Sequence, residues 1–233
     1  MTSWGGNLLA GSEAVEKTSQ YEAKLQIAKK LASYARKGEV IGAGSGSTAL
    51  LALRELAKRN VKEDLDLTFI PTSYEIEWVC VQNGLKMTSI LKQKPVWCFD
   101  GADEVDQKNN LIKGRGGAMY REKLVMAASD TRYILVDESK FVKKLGEEFP
   151  VPVECDPQAI KLVEAEISKS GARDISVRPA KGKDGPVITE KGNLILDCVF
   201  PEIGPDLEKE ISFIPGVLES GLFWGYAPEI LST

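Results

Sequence analysis

From Glu39 onward the sequence alternates short β-rich runs with amphipathic ones: EVIGAG, STALLALRELAKR, LDLTFIP, SYEIEWVCVQNG and VWCFDGADEVD. This alternation constrains the fold more than any other feature, because strand, helix and strand in succession are satisfied by a parallel sheet covered with helices. A leading helix is expected over Tyr21 to Ala35, where Leu25, Ala28, Leu31, Ala32 and Ala35 recur at helical spacing. A further helix follows Gly117, and Tyr133 to Val136 reads as the next strand.

The pattern changes at EEFPVPVEC, where two prolines bracket the start of a new extended segment. Beyond it the reading is a strand at Val151 to Cys155, a helix from Pro157 to Ser170, and extended pieces at Asp174 to Val177 and Pro186 to Thr189. A strand at Asn193 to Val199 and a helix from Pro205 to Ile211 follow. The expected fold class is α/β, a Rossmann-like, mostly parallel sheet with helices on both faces, joined to a smaller α+β, ferredoxin-like domain. Residues 1–147 and 219–233 are assigned to the first domain and 148–218 to the second. The tail GLFWGYAPEI is expected to return to the first sheet.

The chain contains no histidine, which excludes Ser-His-Asp and Cys-His nucleophiles and every metal site built on imidazole. Acid–base chemistry must rest on Asp, Glu, Lys, Tyr or Cys. With 30 basic against 34 acidic residues and no long run of either sign, nothing suggests a nucleic-acid footprint. Cys80, Cys98, Cys155 and Cys198 are scattered without a C-x-x-C pair, so free thiols in a reducing compartment are expected. Met1 to Gln20 lacks the pattern of a secretory leader, and no apolar run approaches membrane-spanning length. A soluble, cytoplasmic protein without membrane contact is the expectation.

Three loops carry candidate chemistry. GAGSGST follows one expected strand and opens a helix, the arrangement in which backbone N–H groups and the helix dipole hold an anion. Its G-x-G-x-G spacing is not the dinucleotide fingerprint, and no lysine adjoins the Ser-Thr, so NAD and nucleoside triphosphates are disfavoured. A small metabolite's phosphate suits it, with a plain capped turn as the bland alternative. Asp100, Asp103, Glu104 and Asp106 follow the apolar run Val96 to Phe99, at the carboxyl edge of the sheet. Their spacing does not match a calcium loop; Asp100 and Asp103 as acceptors from sugar hydroxyls or as proton-transfer groups, and a solvated acidic turn, all remain open. KGRGGAMYREK sets Lys113 before Gly114, Gly116 and Gly117 and then enters a helix, an oxyanion-binding entrance. On that helix Glu122 lies near Ala118, Met119, Val125 and Met126. A carboxylate withdrawn from water is a stronger base, whereas the bland alternative is an exposed Glu at a helix start. Arg121 and Lys123 read as solvating or ion-pairing residues, and Lys140 in VDESK as a surface lysine or a contact for substrate charge.

GSGST, DGADEVD and KGRGGAMYREK, in that order, resemble the A-type ribose-5-phosphate isomerases, and the likeness continues through VDESK, FPVPVE, GNLILD and PGVLESGLF. By that resemblance Ser45, Gly46, Ser47 and Thr48 bind the phosphate region, while Asp100, Gly101, Ala102 and Asp103 line the sugar. Lys113, Gly114, Arg115 and Gly116 form a second loop of the site, Glu122 is the proton acceptor, and Lys140 and Lys24 are further substrate contacts. The resemblance implies ring opening by Asp100 or Asp103, a cis-enediolate formed by Glu122 with Lys113 offsetting its charge, and no metal or organic cofactor. It places the reaction in the non-oxidative pentose phosphate pathway. The implied partners are a small phosphosugar and further copies of the chain, as a homodimer or tetramer, with no nucleic acid; apolar positions of the second domain are natural contact surfaces. Arg115 stands where many relatives have glycine, and the closing strand after APEILST looks short. An isomerase for another aldose phosphate, or a silent phosphosugar sensor, are the competing readings; the twenty residues before the first helix leave no room for a DNA-binding domain.

Overall fold

The computed structural model describes residues 20–232, so the N-terminal stretch read above for a leader lies, apart from Gln20, outside the described residues. By contact the chain forms two compact units. The first comprises Met1–Gly101, Ala128–Ser139 and Glu229–Thr233; the second comprises Ala102–Ala127 and Lys140–Pro228. The segment 148–218, expected as a small domain, lies whole within the second unit, which also takes in 102–127, 140–147 and 219–228.

The first unit begins with helix α1, Tyr21–Ala32, whose Ile27, Ala28, Leu31 and Ala32 are buried, with Glu22 in the first turn and Lys29 and Lys30 in the last, matching the helix dipole. Strand β1, Val40–Ala43, leads into helix α2, Ser47–Glu63, and β2, Thr68–Pro71, leads into helix α3, Tyr74–Gln82. The Ser73 hydroxyl caps α3 by accepting from the Ile76 N–H at 3.3 Å. Short β3, Lys86–Met87, then β4, Trp97–Asp100, β7, Thr131–Leu135, and β13, Glu229–Leu231, complete a six-stranded sheet of order β13-β7-β4-β1-β2-β3 in which every pair is parallel. All four residues of β4 are buried, as an interior parallel strand requires. The chain walks outward from β1 to β3 and then restarts on the other side of β1 with β4, which makes the β1/β4 boundary the topological switch point.

The second unit holds two antiparallel sheets. Strands β5, Glu104–Val105, β6, Leu111–Ile112, and β12, Leu222–Phe223, form a three-stranded one. The other contains β8, Val151–Cys155, β9, Asp174–Val177, β10, Leu194–Val199, and β11, Val217–Ser220, in the order β11-β8-β10-β9. With helix α5, Ile160–Lys169, between β8 and β9, and helix α6, Leu207–Ser212, between β10 and β11, this is the β-α-β-β-α-β order of ferredoxin-like sheets. Helix α4, Met119–Ala128, follows β6. Val151, Val153, Cys155, Val163, Ile167, Leu196, Cys198 and Ile211 fill the core beneath the four-stranded sheet.

The fold class is as expected, with two local corrections. Only the end of the GLFWGYAPEI tail returns to the large sheet, through Glu229–Leu231 against β7. Its beginning pairs instead with β6, because Leu222 and Phe223 are apolar and become fully buried there. The helix expected from Pro157 opens as a 3-10 turn, Pro157–Ala159, capped by Asp156, before α5 begins. All four cysteines are free and buried. Among the described residues no helix is long and apolar enough to cross a membrane.

Candidate active site

In the first unit the candidate residues gather at the carboxyl end of the parallel strands. The Asp100 carboxylate, 3% exposed, accepts hydrogen bonds at Oδ1 from the Ser45 N–H at 3.1 Å and the Gly101 N–H at 2.8 Å. The end of β4 is thereby tied to the glycine loop that follows β1. Approach is so close that a Cβ on Gly44 would lie 2.2 Å from Asp100 Cγ, so only glycine fits there. Helix α2 then starts at Gly46 with no side-chain cap and no acidic residue in its first turn. Its N-terminal N–H groups, next to Ser45, Ser47 and Thr48, make the kind of helix entrance at which an anion is favoured.

Thr72, which sequence reasoning missed, donates its N–H to the Ala43 carbonyl at 3.0 Å, and its buried hydroxyl has no hydrogen-bond partner among the described residues. Lys24 reaches from α1 to within 3.7 Å of the Asp137 carboxylate beyond β7, both side chains nearly buried. Asp137 is fixed in turn by the Ser139 N–H at 3.1 Å and the Ser139 hydroxyl. The lysine suggested by resemblance is therefore a held cation rather than a solvated one.

In the second unit the Lys113 ammonium lies 3.2 Å from Glu122 Oε2, with the two side chains 3% and 4% exposed. Met119, Val125 and Met126 are buried on the same helix. The sequence placed Glu122 among apolar neighbours; the structure adds a cation to them. Lys113 is held through its backbone, its N–H donating to the Gly221 carbonyl at 2.9 Å. Gly221 is the crossing between β11 and β12, where a Cβ would lie 2.2 Å from the Lys113 carbonyl oxygen.

Asp103 accepts the Arg115 N–H at 3.1 Å, and its Oδ1 stands 3.8 Å from the Arg115 Nε. Arg115 itself is 75% exposed at its side chain. Of the remaining acidic residues in DGADEVD, Glu104 is buried and accepts from the backbone N–H groups of Gly146, Glu148 and Phe149 at 2.6, 2.6 and 2.8 Å. Asp106 closes a turn by accepting from the Lys108 and Asn110 N–H groups, each at 2.8 Å. These two carboxylates hold backbone, so the acidic density of the motif is divided between structure and site. Lys140 lies with its ammonium 5.0 Å from the centroid of Phe149, in the segment that Glu104 secures.

Arg178 was also missed. Its guanidinium forks onto Asp197, with Nε to Oδ2 at 2.9 Å, while Nη1 donates to the carbonyls of Gly114 and Arg115, each at 2.8 Å. It clamps the lysine–glycine loop from just beyond the end of β9, more than sixty residues away in sequence. The one partner the sequence offered was the Asp of GNLILD on the neighbouring strand β10, which no local pattern links to Arg178. Among the described residues no group of three or more acidic or thiol side chains is placed to hold a metal ion.

A family model described as ribose 5-phosphate isomerase A (phosphoriboisomerase A) matches residues 68–233. The chain belongs to this family. It is 45% identical over 204 residues to the ribose-5-phosphate isomerase A of Archaeoglobus fulgidus, covering 86% of this chain and 89% of that one. The solved ribose 5-phosphate isomerase A of Methanocaldococcus jannaschii superposes with a TM-score of 0.88 at 41% identity, covering 92% of this chain and 95% of the other. The ribose 5-phosphate isomerase of Plasmodium falciparum does so at 0.84 and 31% identity, over 90% and 92%. A D-ribose-5-phosphate isomerase solved in complex with phospho-erythronic acid matches at 0.87 and 37%, over 92% and 96%. Membership of this family accounts for the order of the three loops along the chain.

Proposed function

We propose that the chain is a ribose-5-phosphate isomerase, an aldose–ketose isomerase that interconverts D-ribose 5-phosphate and D-ribulose 5-phosphate. The observation that carries this reading is the buried Glu122 beside Lys113 in a chain of this family. A base shielded from solvent and an adjacent cation are what proton transfer between neighbouring carbons requires. In this reading Ser45, Gly46, Ser47 and Thr48 hold the phosphate at the start of α2, with Lys24 and Lys140 supplying positive charge. Asp100, Gly101, Ala102 and Asp103 line the sugar, and Asp100 or Asp103 exchanges protons with the ring oxygen and anomeric hydroxyl as the furanose opens. Glu122 removes the C2 proton of the open aldose and returns it to C1 of a cis-enediolate. Lys113 and the N–H groups around Gly114, Arg115 and Gly116 offset the oxyanion.

The relative's ligand supports this reading, since the carboxylate of phospho-erythronic acid places negative charge at the end of a phosphorylated polyol. No step calls for a metal or organic cofactor, because the chain itself provides base and cation. The proposal extends to a cytoplasmic enzyme of the pentose phosphate pathway, working as a homo-oligomer with no nucleic-acid partner. Residues 1–147 and 219–233 carry the catalytic domain and 148–218 the small one.

The test is an isomerisation assay on ribose 5-phosphate with chelator present, alongside other pentose and tetrose phosphates, for the native enzyme and Glu122→Gln. Turnover in chelator with ribose 5-phosphate preferred is expected. Glu122→Gln is expected to lose about 10³-fold in kcat, within the range of general-base removal, while calorimetry still detects phosphosugar binding. Full activity of Glu122→Gln removes it from the mechanism, and preference for another sugar removes the specific name.

A further inference from the structure

Phe223, fully buried in β12, has two ammonium groups within cation–π range of its ring: Lys123 at 4.8 Å and Lys113 at 5.6 Å from the centroid. These two lysines have different surroundings. Lys123 is fixed on the far end of a network, donating to Glu208 Oε1 at 2.6 Å and Glu219 Oε1 at 2.7 Å. Glu208 in turn accepts the Trp224 N–H at 2.7 Å and Glu219 the Ser220 N–H at 2.8 Å, so the network grips the strand on both sides of Phe223. Lys113 is paired with Glu122. Glu122 and Lys123 are consecutive on α4, and the ring of Phe223 links the ion networks that each one anchors.

The consequence rests on the isomerase reading above. When Glu122 accepts a proton its charge vanishes, and its ion pair with Lys113 is lost at the moment when an oxyanion needs that ammonium. The quadrupole of an aromatic ring does not titrate. We propose that Phe223 is a positioning residue: its ring, immobilised by Lys123, Glu208 and Glu219, keeps the Lys113 ammonium in place through the half of the cycle in which Glu122 is neutral. It touches no reacting atom and acts through Lys113.

The test replaces Phe223 with its mono-, di- and trifluorinated analogues, which keep the ring's shape while weakening its quadrupole in steps. Expected is a stepwise fall in kcat on ribose 5-phosphate reaching about tenfold at three fluorines, with KM within about twofold and an unchanged melting temperature; tenfold corresponds to about 1.4 kcal/mol in the barrier. Phe223→Leu is expected to fall further and Phe223→Tyr to retain most of kcat. A trifluorinated enzyme with native kcat overturns the proposal, as does a loss that merely follows the folded fraction. Should the native enzyme not isomerise ribose 5-phosphate, the functional reading fails by itself. Nitrogen relaxation of the Lys113 ammonium then decides the positioning role: its order falls along the fluorinated series if Phe223 holds it, and stays constant if it does not.

Discussion

The two clusters of candidate residues are held in place by different means. In the first unit Ser45 to Thr48, Asp100 and Gly101 are positioned by backbone: two adjacent parallel strands end side by side, and Asp100 ties their loops with two N–H contacts. In the second unit Lys113 and Glu122 depend on side chains from distant segments, with Phe223 and Arg178 supplying contacts from about a hundred and about sixty residues away. A backbone-built anion entrance follows from strand and helix order alone. A buried base–cation pair needs neighbours that local sequence does not name, because burial of charge is tolerated only when partners compensate it.

The largest effect expected to test this contrast comes from Gly44→Ala. Its Cβ collides with Asp100, so the loop and strand must separate, and kcat/KM is expected to fall by more than about 10²-fold together with a marked drop in melting temperature. A stable, active Gly44→Ala enzyme would show that the first cluster is not backbone-determined.

Arg178→Met releases the Gly114 and Arg115 carbonyls and leaves Asp197 without its cation. A loss of about ten- to a hundredfold in kcat/KM is expected. Restoring stability with Asp197→Leu in the same chain should leave that loss in place, as steady-state kinetics and thermal melts on the double variant can establish. Recovery of activity with stability would mean that the clamp serves only the fold.

Alkaline titration asks which unit yields first. Burial holds the thiols of Cys80 and Cys198 up at about 12 and that of Cys155 at about 11. As pH rises past the ordinary thiol range the unfolded chain releases these protons first, so stability is intact below about pH 8.5. It is then lost as pH climbs toward 11 and 12. Melting temperature is expected to decline above pH 9, less so in Cys80→Ala and Cys198→Ala, and thiol-specific labelling identifies the unit that opens. An equal slope in every variant would exclude the thiols as the cause.

The smallest effect belongs to Arg115→Gly. Its side chain is largely exposed, with only a long contact to Asp103, and exposed ion pairs contribute about 0–1 kcal/mol. A change below about twofold in kcat is expected, with KM shifting by a similar amount in low salt. A tenfold loss would make Arg115 part of the site rather than of its rim.

Legibility followed the same division. The alternation from Glu39 onward named β1, β2, β4 and β7 and helices α2 and α3 to within a few residues, since period and capping are local signals. The two-residue strands β3, β5, β6 and β12 escaped, because segments that short carry no period and exist only through their pairing. Glu104, given no role of its own in DGADEVD, proved to be an acceptor for three distant N–H groups. Nothing in its flanking residues distinguishes it from Asp103.

By itself the sequence determined the parallel sheet, the glycine loop at the head of α2, the absence of imidazole chemistry and the identity of Glu122 as the carboxylate to examine. Each of these depends on residue type and spacing within a few turns of chain. Tertiary structure alone decided that Glu122 is paired with Lys113, that Asp100 binds two loops together, and that Phe223 lies in range of two lysines. Those arrangements join residues far apart along the chain, and their energies arise only once folding has removed water from between them.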